Sequence, residues 1–217
     1  GDEQARALDG SRLLVSGAPS APLDVVVSPS GTWMAMLTSS AIFRSSDGGG
    51  LWVNIGKPAG VAQSGFVAIG DTGTAFFAAS LGGFTKSTEV YRYSSSWSAP
   101  VLAASSSWFG SSQPVAGLVV YGTQVAVVSG STGNISRSLD QGLTWTFAGV
   151  LGQAPSRLAV IGSYLHALST VSPTSQVYSR WSFATGQATT SLTGIPGERA
   201  ADVFSTPGST TELWVAT

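Results

Sequence analysis

An all-β fold of repeated four-stranded units, the radial architecture of a β-propeller, is what three features of this sequence predict. Short apolar strands separated by Gly and Pro turns run along the chain. The same order of strands returns at an interval of about 40 to 50 residues, the length of one propeller blade. An arginine recurs with nearly that period, at positions 44, 92, 137 and 180.

Each repeat opens with an apolar strand: Val25-Val26-Val27, Phe66 to Ile69, Leu118 to Tyr121 and Leu158 to Ile161, with Val203-Phe204 beginning a fifth. Such near-continuous apolar runs are expected where both faces of a strand are buried. A second apolar strand follows and ends at or beside a hydroxyl residue, in Trp33 to Thr38, Ala75 to Ser80, Val125 to Ser129, Leu165 to Ser169 and Leu213 to Thr217. The third strand carries an apolar-x-Arg pattern, in Ile42-Phe43-Arg44, Val90-Tyr91-Arg92 and Ile135-Ser136-Arg137, with a looser Val177-Tyr178-Ser179-Arg180. Its mixed polarity fits an outer strand. Two stacked sheets would also accommodate the strands, but a sandwich does not require near-equal repeats.

After the third strand, the first repeat reads Ser45-Ser46-Asp47-Gly48-Gly49-Gly50-Leu51-Trp52 and the third reads Ser138-Leu139-Asp140-Gln141-Gly142-Leu143-Thr144-Trp145. Both follow S-x-D-x-G-x-T-W, with Leu51 replacing Thr in the first. In a tight turn the Asp carboxylate and the Ser hydroxyl can accept backbone N–H bonds, Gly allows positive φ, and Trp returns the chain to the sheet. The pattern resembles the Asp-box (BNR) repeat found in sialidases and in many non-enzymatic propellers. That resemblance implies that the turn joins third to fourth strand on the face opposite the usual ligand site. It also implies a structural role for Ser45, Asp47, Gly49, Trp52, Ser138, Asp140, Gly142 and Trp145. In the second and fourth repeats only a tryptophan is retained, Trp97 and Trp181.

Four full repeats leave both ends to account for. Val203-Phe204 and Leu213 to Thr217 supply a first and a second strand, while Ser11 to Ser16 adjoin Asp9-Gly10, a favoured hairpin dipeptide. The expectation is a single β-propeller domain over residues 1–217, with five four-stranded blades. Its last blade would take an inner pair from the C-terminal segment and an outer pair from the N-terminal one, which removes exposed sheet edges. A piece of a longer six- or seven-bladed propeller is the alternative.

Composition narrows the function classes. Ten Lys and Arg against 11 Asp and Glu leave no charge surplus for phosphate backbones or anionic membranes, so nucleic acid is not expected as a partner. The chain has no Cys, which excludes disulfides, thiol nucleophiles and thiolate metal sites. No apolar run approaches the roughly 20 residues of a membrane span, and Gly1 to Gly10 is polar, so membrane insertion is not expected either. Low charge with abundant Ser, Thr and Gly fits an extracellular or virion surface.

A sialidase-like glycosidase would, by the same resemblance, need an arginine triad, a Tyr nucleophile paired with Glu, and an acidic Asp. Eight arginines are present, but four recur at the repeat period, which fits bonds to carbonyls or neighbouring strands better than convergence on one substrate. The R-I-P sequence typical of sialidases is absent, and spacing singles out no carboxylate pair. His166, the sole histidine, stands inside an apolar strand and reads as a hydrogen-bonded structural residue. No calcium loop or His-rich cluster is present, so no cofactor or metal is expected. The chain is therefore read as non-enzymatic.

Two function classes remain. One is a recognition module for a glycan or other surface ligand. The other is a structural or assembly component, such as a secreted scaffold or a viral tail or surface protein. The interval from the box-position tryptophan to the next repeat is longer in the second and fourth repeats, where two connections gain residues. One of them holds Trp108, Phe109 and Gln113 among serines, and the other ends in Glu198-Arg199. Aromatic rings beside hydroxyl and amide groups suit stacking on a sugar, so these five residues are the candidate ligand contacts.

Overall fold

The computed structural model describes residues 4–6, 12–14, 22–59, 61, 65–80, 88–104, 114–172, 175–193, 202–204 and 214–216. Among them the regular structure is entirely β. Strands β1 (Gln4–Arg6) and β2 (Arg12–Leu14) form an antiparallel pair. The first four-stranded sheet holds β3 (Pro22–Val27), β4 (Met34–Thr38), β5 (Ile42–Ser45) and β6 (Val53–Gly56). The second holds β7 (Phe66–Ile69), β8 (Ala75–Ser80), β9 (Thr88–Tyr93) and β10 (Val101–Ala104). In the third are β11 (Val115–Tyr121), β12 (Gln124–Ser129), β13 (Asn134–Ser138) and β14 (Thr146–Val150). The fourth contains β15 (Arg157–Ile161), β16 (Tyr164–Ser172), β17 (Ser175–Ser182) and β18 (Ala188–Thr193), and β19 (Asp202–Phe204) pairs with β20 (Trp214–Ala216). The Asp9-Gly10 turn expected between β1 and β2 lies outside the described residues.

Every sheet is an antiparallel meander in chain order. The first strand of each adjoins the first strand of the next, β3 with β7, β7 with β11, β11 with β15 and β15 with β19. Successive sheets therefore pack face to face around a line of first strands, the radial arrangement that the repeats predict.

Period-2 alternation explains how one strand serves two interfaces. In β8, Ala75, Phe77 and Ala79 pack towards the first sheet while Phe76 and Ala78 pack towards the third. In β12, Val125 and Val127 face the second sheet, and Ala126 and Val128 face the fourth. Ala35 and Leu37 of β4 join the layer shared with the second sheet, whereas Met36 points the other way, to Ala41, Phe43, Val25 and Trp52.

One expectation is corrected by burial. The first strands, read as the ones covered on both faces, are less buried than the second: all five residues of β4 are buried, but Leu23 and Asp24 of β3 and Arg157 of β15 are exposed. A second strand has neighbours on both edges and sheets on both faces, whereas a first strand has an open edge. Phe77→Ala should therefore cost roughly 3–5 kcal/mol of stability, because the fully buried ring fills the layer between the first two sheets. Denaturant unfolding measures it, and a loss below about 1 kcal/mol would contradict two-sided burial of β8.

Candidate functional site

The two Ser-x-Asp turns hold themselves together. Ser45 Oγ donates to Asp47 Oδ1 at 2.7 Å and accepts from the Gly49 amide at 2.9 Å, and Asp47 Oδ1 also accepts from the Leu51 amide at 2.9 Å. The third-sheet turn repeats this with Ser138 Oγ donating to Asp140 Oδ1 at 2.7 Å and accepting from the Gly142 amide at 2.7 Å. Asp140 Oδ1 then accepts from the Leu143 and Thr144 amides, and Oδ2 accepts from Thr144 Oγ1 at 2.6 Å. Gly49 and Gly142 have φ of 93° and 86°, a region that disfavours a Cβ. The Thr144 hydroxyl, followed by its amide and Ser138, holds the Asp140 carboxyl far below its usual range, and the Leu51 amide and Ser45 lower Asp47 likewise. Both carboxylates are acceptors within their own turns.

The tryptophans do more than return the chain. Trp145, only 8% exposed, donates to its own Gly142 carbonyl at 3.1 Å and fills the layer between the second and third sheets. Trp97 instead donates to Ile55 O on β6, and Trp181 to Ala148 O on β14. These two cross to the outer strand of the preceding sheet. Trp181 is moreover part of β17 itself, and the fourth-sheet turn follows it at 183–187, so it is not a remnant of a box turn as its sequence position had implied. Trp52 packs beside Met36 and Phe43, and among the described residues its buried indole N–H has no hydrogen-bond partner.

The recurrent arginines form a ladder between sheets. Arg44 Nη1 donates to Gly73 O at 2.8 Å, its guanidinium lying over Trp33 at 5.0 Å and Tyr93 at 5.4 Å. Arg92 Nη2 reaches Gln141 Oε1 at 3.2 Å, and Arg137 Nη1 reaches Phe183 O at 2.9 Å. In each case a third strand is tied to a turn of the next sheet, as the periodicity had implied. Gln141 holds a left-handed φ of 58°, so a residue in an uncommon conformation supplies the acceptor for Arg92. Arg180, cross-strand from His166, is exposed and stacks on Tyr164 at 4.4 Å.

His166 is 8% exposed and shares a 2.6 Å hydrogen bond between Nδ1 and the Tyr178 hydroxyl. Burial, with a smaller contribution from the Arg180 charge, pushes it down to about 4, so the ring is neutral near pH 7. In the second sheet Tyr91 donates to Glu89 Oε2 at 2.7 Å, and burial, that bond and the Glu89 charge push the phenol up to about 12. Among the described residues no three His, Asp or Glu side chains gather as a metal site would require.

The candidate ligand contacts Trp108, Phe109, Gln113, Glu198 and Arg199 lie outside the described residues. They fall on the connections from β10 to β11 and from β18 to β19. In an antiparallel meander these connections leave the sheets at the end opposite the Ser-x-Asp turns.

Trp145→Ala should lower stability by roughly 3–5 kcal/mol, the cost of deleting a buried large aromatic, and Asp140→Ala by less. Denaturant titration of both checks the order, and an unchanged midpoint for Trp145→Ala would remove the ring from the core. A second expectation concerns pH. The folded-state pKa of His166 is depressed from 6.5 to about 4, so its contribution to stability is full above about 6.5 and is lost as pH falls towards 4. Asp47 and Asp140, both depressed, remain ionised in that window. Thermal melts from pH 7 to 4 should show a decline that His166→Gln flattens, and an equal decline in the variant would assign it to other groups.

No family model matches the chain, and no curated protein matches it. Solved structures resemble it. A chain of the nidogen/laminin complex matches with a TM-score of 0.55 at 12% identity, over 84% of this chain and 68% of that one. YCF48 from Cyanidioschyzon merolae matches with a TM-score of 0.58 at 12% identity, over 92% and 64% respectively. The GH74 xyloglucanase from Xanthomonas campestris matches with a TM-score of 0.56 at 13% identity, over 87% of this chain and 34% of that enzyme. The chain thus spans between 34% and 68% of the length of these proteins. At such identities the likeness is one of fold, and the fold is that of a β-propeller.

Proposed function

We propose that this protein is an Asp-box propeller of five blades over residues 1–217, acting as a non-catalytic recognition module at an extracellular or virion surface. The β19–β20 pair supplies the inner half of the fifth blade and the β1–β2 pair its outer half. A glycan or other surface ligand binds through the connections opposite the Ser-x-Asp turns, with Trp108, Phe109, Gln113, Glu198 and Arg199 as contacts and no cofactor. The observation that carries this reading is the internal commitment of the recurrent charged groups. Asp47 and Asp140 accept bonds within their turns, and Arg44, Arg92 and Arg137 donate to the next sheet. The hydroxyl of Tyr91 is held by Glu89 in its protonated form. Groups so committed support a scaffold, which leaves ligand contact to the connections from β10 to β11 and from β18 to β19.

A structural or assembly role is the second reading, and one observation favours it. Leu139, Leu143, Phe147 and Val150, all on the turn or outer strand of the third sheet, are 41–59% exposed. Apolar side chains gathered on a rim suit contact with another subunit.

A panel of immobilised glycans, run beside a measurement of mass in solution, separates the two. Binding that Trp108→Ala abolishes, with the unfolding midpoint unchanged, is the expected result. Failure to bind any glycan together with stable self-association would reverse the order of the readings. A strong drop in the midpoint for Trp108→Ala would make that ring a packing residue.

A further inference from the structure

The outer edges of the four-stranded sheets differ. β6, β10, β14 and β18 each end their sheet, with one strand neighbour and one open side. The first three of these strands carry a bulge. Ile42 stands opposite Gly56 and Phe43 opposite Asn54, which leaves Ile55 of β6 out of the register. Ala103 of β10 and Ala148 of β14 are left out in the same way. In β6 and β14 the next residue is a glycine at positive φ, Gly56 at 69° and Gly149 at 138°, and the bulged residue gives its carbonyl to a tryptophan of the following sheet. A bulge bends a strand and increases its twist, which spoils the open side as a template for a further strand. Lys57, directly after β6, adds a charge at that edge.

β18 has no bulge. Its six residues, Ala188–Thr193, pair one to one with Trp181 to Gln176 of β17 in an unbroken ladder. The strand contains no Pro, Gly or charged residue, and no charge occurs between Arg180 and Glu198. Ala188 and Thr189 are exposed. A regular, uncharged edge presents a row of amide and carbonyl groups with which a further strand can pair. Two copies of β18 are compatible with each other, because an antiparallel strand meets itself about a two-fold axis. In the register that engages all six residues, Ala188 stands opposite Thr193, Thr189 opposite Leu192 and Thr190 opposite Ser191. No like charges are opposed, and Thr with Ser is a pair that favours cross-strand contact.

We propose that β18 is a strand-addition surface whose partner is the β18 of a second copy, the two fourth sheets joining edge to edge about a two-fold axis. This goes beyond both readings of function, neither of which uses β18. A ladder of this length is short beside the roughly 800 Å² per partner of a stable complex, so the pairing is reversible and grows with concentration.

Sedimentation of the full chain over a range of concentrations, with hydrogen exchange read by mass spectrometry on the same samples, tests this. Thr189→Lys is the variant, since Thr189 is exposed and the two-fold axis brings the lysine into the pairing twice. Thr170→Lys, at an exposed site on β16, adds the same charge elsewhere. The expected result is a dimer fraction that rises with concentration, together with slower exchange of 188–193. Thr189→Lys weakens this association about tenfold or more, and Thr170→Lys leaves it unchanged. A dimer in which exchange of 188–193 does not slow, or an equal effect of the two variants, would place the contact elsewhere and overturn the proposal. Slow exchange of 188–193 at every concentration would show that the same chain covers β18, which overturns it too. A monomer with fast exchange throughout would overturn self-pairing and leave the edge to a strand of another protein.

Discussion

The two-sided burial of the second strands is the constraint on which the rest of this structure depends. β4, β8, β12 and β16 each lie between strands on both edges, and β8 and β12 have a sheet against each face. Only apolar or small residues satisfy such a position, which is why Ala75 to Ala79 and Val125 to Val128 read as unbroken apolar runs. The same constraint drives charged groups to the third strands and turns. There an arginine can place its stem along a sheet and its guanidinium at a neighbour's turn.

Because adjacent sheets meet mainly through apolar layers, their relative orientation needs directional bonds. The arginine ladder and the bridging tryptophans supply them. Arg44, Arg92 and Arg137 connect forward from third strands, while Trp97 and Trp181 connect backward to outer strands. Three of these five bonds end in a turn, at the Gly73 and Phe183 carbonyls and the Gln141 side chain, so turn geometry and inter-sheet geometry are coupled. In the third sheet the coupling is visible in one segment: Ser138 and Asp140 shape the turn, and the turn presents Gln141 to Arg92.

This arrangement bears on chemistry. The groups that would attract attention as catalytic, the recurrent arginines, the turn aspartates, Tyr91 with Glu89, and His166 with Tyr178, are hydrogen-bonded inside the scaffold or, for Arg180, stacked on Tyr164. The shifts have matching directions: the aspartates are held ionised, the tyrosines protonated and the histidine neutral. Each is the state that suits its structural bond. A propeller fold shared with a laminin-complex chain, YCF48 and a xyloglucanase leaves function to the residues grafted on it.

By itself the sequence determined the all-β class, the order of strands within each repeat and the geometry of the Ser-x-Asp turns. These follow from interactions among near neighbours: period-2 alternation, the left-handed φ that Gly49 and Gly142 adopt, and side-chain oxygens bonding amides within four residues. The tertiary structure decided which strand is most buried, which turn each arginine serves, and that Trp181 bridges sheets from within a strand. Arg44, Arg92 and Arg137 find their acceptors 29, 49 and 46 residues along the chain. The candidate ligand contacts were chosen from intervals counted from Trp97 and Trp181, but Trp181 stands within β17, and by strand bounds the 194–201 connection is no longer than 57–65. A local pattern states what a residue can bond, but the packing of one sheet on the next selects the partner.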